Sequence, residues 1–204
     1  MSGRQSAEER KAQIVAEVLR LADEIGPDRL STTDVARAIG LSQPAIFRHF
    51  PTKGALWLAV AEDIADRLQS YWAAAEAGAT GPQARLKALI GAQLTAIAET
   101  PALPSILFSR ELQVDNPALR EVFRKLLGAF QGRLVAAIRE LQAAGHLRRD
   151  VGPEDVAILL TSLVQGVAIR WTLGARGFVL VPEGLRLFDV QMELLRAKEG
   201  ACDA

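Results

Sequence analysis

The sequence has few of the residues on which secreted and membrane proteins depend. It contains a single cysteine, Cys202, so an internal disulfide cannot form and a reducing cytoplasm is the expected compartment. The N-terminus is polar and lacks the apolar core of a secretory signal. The longest apolar run, residues 156–169, is only 14 residues long and is interrupted by polar side chains. We therefore expect a buried helix there and no association with a membrane.

Catalytic groups are also scarce. The only histidines are His49 and His146, and the CxxC, HExxH, GxSxG and phosphate-loop motifs are missing. Carboxylate pairs such as Glu8–Glu9 are typical of charged helix surfaces. The sequence therefore predicts no catalytic residue, no metal site and no cofactor, and an enzyme is the least favoured class of function.

The composition favours an all-α protein. The chain has 204 residues, of which 50% are hydrophobic and only 5% aromatic. Apolar spacing of 3.6 residues and Gly, Pro and Asn breaks predict about nine helices. Their expected ranges are 7–25, 32–39, 43–49, 53–76, 83–99, 103–112, 117–144, 153–173 and 182–198. Residues 1–7 are expected to form a disordered arm, either a solubilising tail or one whose basic residues, such as Arg4, touch phosphates.

Residues 31–53 have the pattern of a helix-turn-helix. Ser31 followed by Asp34 predicts a capping box, and Gly40 ends the first short helix. Ser42 is the expected cap of the second helix, with Pro44 in its first turn. The apolar residues that would hold the two helices together are Val35, Ala36, Ile39, Leu41 and Ile46. This spacing is typical of a DNA-reading helix pair.

The charge of this stretch favours a polyanion. The chain is neutral, with 24 basic and 24 acidic residues, yet the only charged residues between Val35 and Ala61 are basic. Gln43 could address a base edge, and Arg48, His49 and Lys53 could meet phosphates or guanine. The alternative is an ordinary helical hairpin with a solvated basic face.

The phrases DVA, GLS and IFRHFPTKGAL in this segment resemble the DNA-binding signature of the tetracycline-repressor (TetR/AcrR-type) transcriptional regulators. The resemblance is specific over residues 10–60 and extends further only as a general helical plan. It implies a DNA-binding domain at 1–52 and an effector-binding and dimerisation domain at 53–204. The DNA contacts that it implies are Ser31, Thr33, Ser42, Gln43, Pro44, Ala45, Phe47, Arg48, His49 and Lys53. Phe47 stands where the family usually has tyrosine, so it should lack that hydroxyl's bond to a phosphate.

The predicted helix 153–173 is apolar on every side and must be covered on every side. The cover is either the core of the bundle or a second subunit. The resemblance implies that the last two helices pair with their counterparts in a homodimer. The candidate interface residues are Leu159, Leu163, Gly166, Arg170, Leu185, Phe188, Met192 and Leu195. Gly166 is unfavourable in mid-helix by about 1 kcal/mol, which close backbone approach would explain.

The resemblance also implies a pocket for a small-molecule effector, expected to be apolar or amphipathic. The candidate lining residues are Trp72, Leu107, Phe108, Glu111, Phe130, Gln165 and Trp171, although the aromatic residues would equally serve as plain core. The expected function is a homodimeric repressor that binds a palindromic operator in double-stranded DNA. An effector would release it by moving the rod-like helix 53–76. A helical protein–protein adaptor that binds no DNA is the alternative.

Overall fold

The computed structural model describes residues 6–197, and within that range it contains α-helices and no strand. The helices are α1 (Ala7–Ile25), α2 (Thr32–Ala38), α3 (Gln43–His49), α4 (Lys53–Gly78), α5 (Pro82–Glu99), α6 (Leu103–Phe108), α7 (Arg110–Asp115), α8 (Pro117–Ala143), α9 (Pro153–Leu173) and α10 (Leu180–Leu194). The predicted all-α class is confirmed. The described residues divide into two compact units: unit 1 comprises residues 6–67 and 100–125, and unit 2 comprises residues 68–99 and 126–197.

Unit 1 is built on α1, which packs against α2, α3 and α6. Ser6 and Glu9 form a capping box at its start, and Gly26, with φ of 85°, follows its last residue. The buried face of α1 includes Ile14, Val18 and Leu21, which recur at helical spacing. The predicted bounds of this helix, 7–25, are confirmed.

One predicted helix, 103–112, is two short helices, which raises the number from about nine to ten. Ser109 adopts an extended conformation (φ −65°, ψ 109°) between α6 and α7. Its hydroxyl accepts a hydrogen bond from the Leu112 N–H at 3.0 Å and so caps α7. The same hydroxyl donates to the Asp28 carboxylate in the loop between α1 and α2. A serine in a helical pattern gives little warning of a break, because the Asp28 partner is distant in sequence.

Asn116 connects the starts of α4 and α8 within unit 1. Its side-chain oxygen accepts from the Leu119 N–H at 3.1 Å and so caps the start of α8. Its side-chain amide donates to the Gly54 carbonyl at 2.8 Å. One side chain therefore holds two helix ends together, directly beside Lys53.

Unit 2 is centred on α10, which packs against α5 and α9. The close approach of α5 and α10 occurs at Gly184, which is buried within α10. A Cβ at Gly184 would lie 2.5 Å from Cδ1 of Leu94. Gly184 is thus the glycine that close helix packing requires in this unit, and the sequence pattern did not single it out.

The last helix differs from its predicted range of 182–198. It begins at Leu180, two residues before the predicted start, and it ends at Leu194. Arg196 then forms an isolated antiparallel bridge with Leu147, in the loop that follows α8. The expected disordered arm at residues 1–7 is wrong for its last two residues, because Ser6 caps α1 and Ala7 is its first residue. Residues 1–5, including Arg4, lie outside the described residues, as do Lys198 and Cys202.

Helix α9 has both buried and exposed apolar positions. Its buried residues include Val156, Leu160 and Val164, whereas Leu173 is 82% exposed. By length and composition alone α9 could cross a membrane, so the expectation that this segment is too short is wrong. A single such helix is weak evidence for a membrane, because core helices of soluble proteins meet the same criterion.

Candidate nucleic-acid interface

The turn between α2 and α3 follows from the local sequence. Ser31 Oγ accepts from the Asp34 N–H at 3.2 Å, and the Asp34 carboxylate accepts from the Ser31 N–H at 3.1 Å, so the predicted capping box is confirmed. At the other end of α2, the Leu41 N–H donates to the Ala36 carbonyl at 2.8 Å. Gly40, with φ of 68°, takes the left-handed conformation that this closure requires. The start of α3 is thereby fixed relative to α2.

The inner side of the helix pair is tightly packed. Ile46 and Val35 are buried, and Ala36 provides the small side chain that lets the helices approach. Ala45 also faces inward and is only 7% exposed, so it acts chiefly as a packing residue. These contacts hold α2 and α3 together. We call the opposite, exposed face of this helix pair the platform.

The outer side carries most of the residues predicted to contact DNA. Those with exposed side chains are Ser31, Thr33, Ser42, Gln43, Pro44, Phe47, Arg48 and Lys53, and His49 is half-buried. Phe47 is 37% exposed, so its ring is partly free. Ser42 occupies the N-cap position of α3, but its hydroxyl makes no capping hydrogen bond and does not complete the predicted cap. The roles of these residues in DNA binding stay predictions.

The Gln43 side chain is hydrogen-bonded to a residue of α2. Its side-chain Nε2 donates to Thr32 Oγ1 at 2.9 Å, and Thr32 itself is buried. The amide of the first residue of α3 is thus oriented before any ligand binds. Sequence reasoning did not identify Thr32, because the pairing spans eleven residues and depends on the angle of the turn.

The charge around the platform comes from a few groups. A hydrogen bond from the Ser31 side chain, supported by its backbone N–H and by the nearby Arg37, holds the pKa of Asp34 below its ordinary value. Asp34 is therefore ionised at neutral pH and offsets Arg37, whose guanidinium lies 3.6 Å away. At the start of α4, the Thr52 hydroxyl accepts from the Ala55 N–H at 3.0 Å. Lys53 is the first residue of that helix and its side chain is exposed.

The residues predicted to line an effector pocket are divided between the units. Leu107, Phe108 and Glu111 belong to unit 1, whereas Trp72, Phe130, Gln165 and Trp171 belong to unit 2. Trp72 is 1% exposed; it stacks on Phe130 with ring centroids 5.0 Å apart, and its Nε1 donates to Gln93 at 2.9 Å. Trp171 donates to the Phe178 carbonyl at 3.0 Å. The ligand-binding roles of the seven residues stay predictions.

The predicted dimer residues include both surface and core positions. Leu159, Gly166 and Arg170 are exposed and Leu163, Leu185 and Met192 are partly so, but Phe188 and Leu195 are buried in unit 2. A shallow depression of about 370 Å³ lies on this face of α9 and α10 and is lined by Leu163, Gly166, Val167, Arg170, Leu187, Val190 and Gln191. Further exposed apolar side chains on the same two helices, none of them a predicted interface residue, are Ile158, Ile169, Leu173, Val190 and Leu194.

Salt links at the junction of α9 and α10 leave Arg170 ion-paired. The Glu183 carboxylate accepts from Arg186 at 2.8 and 2.9 Å and from Arg170 at 3.3 Å. These bonds, mainly those from Arg186, lower the pKa of Glu183 to about 2. The Arg170 guanidinium also lies 5.3 Å from the centroid of the Phe178 ring. Arg170, a candidate interface residue, therefore has an ion-pair partner within its own chain.

Two family models match the chain over successive stretches. Residues 14–60 match the model described as bacterial regulatory proteins of the tetR family, and residues 82–180 match the C-terminal domain of BetI-type transcriptional repressors. The first match covers α2 and α3, and the second begins at α5. The model of the DNA-binding part therefore coincides with the exposed polar platform.

Individual relatives and solved structures match over longer stretches of the chain. The nucleoid occlusion factor SlmA of Haemophilus ducreyi is 28% identical over 118 residues, which are 57% of this chain and 58% of that protein. SlmA of Vibrio atlanticus is 24% identical over 84% of this chain and 87% of its own. A transcriptional regulator of Saccharomonospora viridis, solved in complex with choline, has the same fold, with a TM-score of 0.82, 21% identity and coverage of 94% of this chain and 100% of that one.

The family consists of transcription regulators and not of enzymes; its members are soluble proteins that bind DNA as dimers and respond to ligands. The two matched family models, the all-α fold and the exposed polar platform of α2 and α3 all indicate the same family. This chain belongs to the TetR family of ligand-responsive, DNA-binding transcriptional regulators.

Proposed function

We propose that this chain is a cytoplasmic homodimeric repressor that binds a palindromic operator and leaves it when a small molecule binds unit 2. The observation that carries the proposal is the outer face of α2 and α3, where polar and basic side chains surround an ordered glutamine. A second copy would place a matching face one or more helical turns along the duplex. In this proposed function, residues 1–52 form the DNA-binding domain and residues 53–204 form the effector and dimerisation domain.

The residues of the platform have different proposed roles. Gln43 reads a base edge, because it is exposed at the start of α3. Arg48, His49 and Lys53 meet phosphates or guanine, and Thr33 and Ser42 donate hydrogen bonds from their hydroxyl groups to the backbone of the duplex. Ser31 lies beside them, but its hydroxyl already donates to Asp34, so its proposed contribution is to cap α2 at the interface. Phe47 and Pro44 contribute apolar surface, and Ala45 positions the helix from within.

The proposed dimer face is the depression on α9 and α10 together with its apolar rim. Glycine in the middle of a helix is unfavourable by about 1 kcal/mol relative to alanine. Within its own chain, none of the described residues places a heavy atom within 4 Å of where a Cβ at Gly166 would lie, its own helix backbone aside. Close approach by a partner helix would account for this glycine. Exposed Leu159, Leu173 and Leu194 would then be covered by the second copy.

The proposed effector is apolar or amphipathic and binds unit 2 near Trp72 and Phe130. The Saccharomonospora viridis regulator carries choline, a quaternary ammonium, and such cations bind aromatic faces. Here the Trp72 ring already has the Arg133 guanidinium 5.9 Å from its centroid, and Arg133 is paired with Glu76. A further cation would compete with a charge that the chain itself supplies, which favours an uncharged or anionic ligand.

Thermal unfolding with fatty acids, steroids and choline tests this choice. A ligand at 100 times its Kd stabilises the native state by about 2.7 kcal/mol. We expect an apolar compound to raise the Tm and to release operator DNA at the same concentrations. Choline alone raising the Tm and releasing DNA would contradict the proposed ligand class.

Genomic selection of bound fragments followed by gel shift at several salt concentrations tests the whole proposal. We expect one enriched inverted repeat, bound about 10³-fold or more tightly than unrelated DNA. A complete lack of binding would favour the protein–protein adaptor.

The SlmA relatives favour a second candidate, a nucleoid occlusion factor. Transcript levels and cell division in a deletion strain distinguish the two functions. Unchanged transcripts beside the bound sites, together with altered division, would favour nucleoid occlusion over repression.

A further inference from the structure

We propose that Thr32 sets the base specificity of Gln43 and directs it to adenine. The inference rests on the proposed role of Gln43 as the base-reading residue. It is carried by one contact, the 2.9 Å hydrogen bond from Gln43 Nε2 to Thr32 Oγ1, and by the burial of Thr32.

A free glutamine amide can read two different purines. Its two N–H donors can both point at acceptors such as guanine O6 and N7, or one N–H and Oε1 can pair with adenine N7 and N6. A glutamine on an exposed helix has several rotamers and exchanges between these patterns. Its base preference is therefore weak unless something restrains the amide.

Thr32 provides that restraint from the side away from solvent. Because its oxygen accepts one of the two N–H groups, Gln43 keeps one donor and the Oε1 acceptor for a ligand. That remaining pair complements N7 and the N6 amino group of adenine, and it does not match the two acceptors of guanine.

The platform is built so that the restraint holds. Thr32 is the first residue of α2, next to the Ser31 cap, and the Gly40 turn fixes α3 above it. Both residues belong to unit 1, so the contact is internal to one compact unit. Thr32 does not reach DNA in this arrangement; it is a positioning residue for Gln43.

The test uses Thr32→Val, which keeps the shape of the side chain and removes its oxygen, and Thr32→Ser, which keeps the oxygen. Full-length wild type, both variants and Gln43→Ala are each used to select binding sites from randomised duplex DNA. We expect wild type and Thr32→Ser to select adenine at one position of each half-site. Thr32→Val should accept guanine there and lose about five-fold or more of the preference for adenine.

A double substitution separates positioning from a general effect on folding. With Gln43→Ala present, adding Thr32→Val should cause no further change at that position, whereas a merely structural role of Thr32 would still alter binding. If Gln43→Ala loses the adenine preference while Thr32→Val selects the same site as wild type, the inference about Thr32 is wrong and the reading role of Gln43 stands. If Gln43→Ala also selects the wild-type site, both the reading role and the inference fail.

Discussion

Replacing Gly166 by alanine should weaken the dimer while leaving the fold intact. The new methyl group meets none of the described residues of its own chain within 4 Å, apart from its own helix backbone, so the subunit can accept it without strain. Alanine should favour the helical conformation of α9 by about 1 kcal/mol. That gain is present in monomer and dimer alike and cancels from the dissociation equilibrium.

The added methyl group destabilises the dimer only if a helix of the partner subunit lies against Gly166. Overpacking in a closely packed contact costs about 1–3 kcal/mol, and twofold symmetry brings in two copies. Even the lower value gives about 2 kcal/mol for the pair, which raises the dimer Kd about 30-fold. The matched control is Gly128→Ala, another exposed mid-helix glycine with open space around it.

Sedimentation equilibrium over a range of protein concentrations measures the dimer Kd, and thermal unfolding measures the Tm. We expect Gly128→Ala to keep the wild-type Kd and to raise the Tm by about 2–4 °C. An unchanged Kd for Gly166→Ala would refute the reasoning, because the depression on α9 and α10 would then lie away from the twofold contact.

Lys53→Ala should weaken binding to all DNA sequences alike and flatten the slope of log K against log salt by about one unit. Gln43→Ala should instead relax the base preference at one position of the half-site. Competition gel shifts at several salt concentrations separate these two effects. Asn116→Ala removes both the α8 cap and the bond to the Gly54 carbonyl, so urea unfolding should show a loss of about 1–2 kcal/mol; wild-type stability would mean that this link contributes little. Because the pKa of Glu183 is lowered to about 2, its ion pairs stabilise the fold above pH 4.5 and are lost as the pH falls from there towards 2. Glu183→Gln should reduce this acid sensitivity in chemical unfolding between pH 5 and 3, and an unchanged pH profile would contradict the assignment.

Local signals in the sequence were enough to predict the helix pair α2 and α3. The Ser31 cap, the Gly40 turn and the bounds of α3 each depend on residues within a few positions of one another. Capping hydrogen bonds and turns with positive φ depend on residues that are close together in the chain, so the local sequence pattern predicts them directly.

The features that sequence could not provide depend on distant contacts. Ser109 interrupts a helical pattern because Asp28 supplies a partner for its hydroxyl. The close approach at Gly184 depends on Leu94 in another helix. Likewise, Phe188 has the spacing of an interface residue, yet α10 turns it into the core. Apolar periodicity marks a face but does not say which neighbour covers it.

The most direct test of the account is the stoichiometry and sequence preference of the complex on its selected DNA, measured together at physiological salt. Analytical ultracentrifugation of the enriched duplex should show two chains bound to one inverted repeat, and disrupting one half-site should abolish the tight complex. A single chain bound tightly to one half-site, or equal affinity for selected and unrelated duplexes, would contradict the claim that a twofold pair of α2–α3 platforms reads the operator.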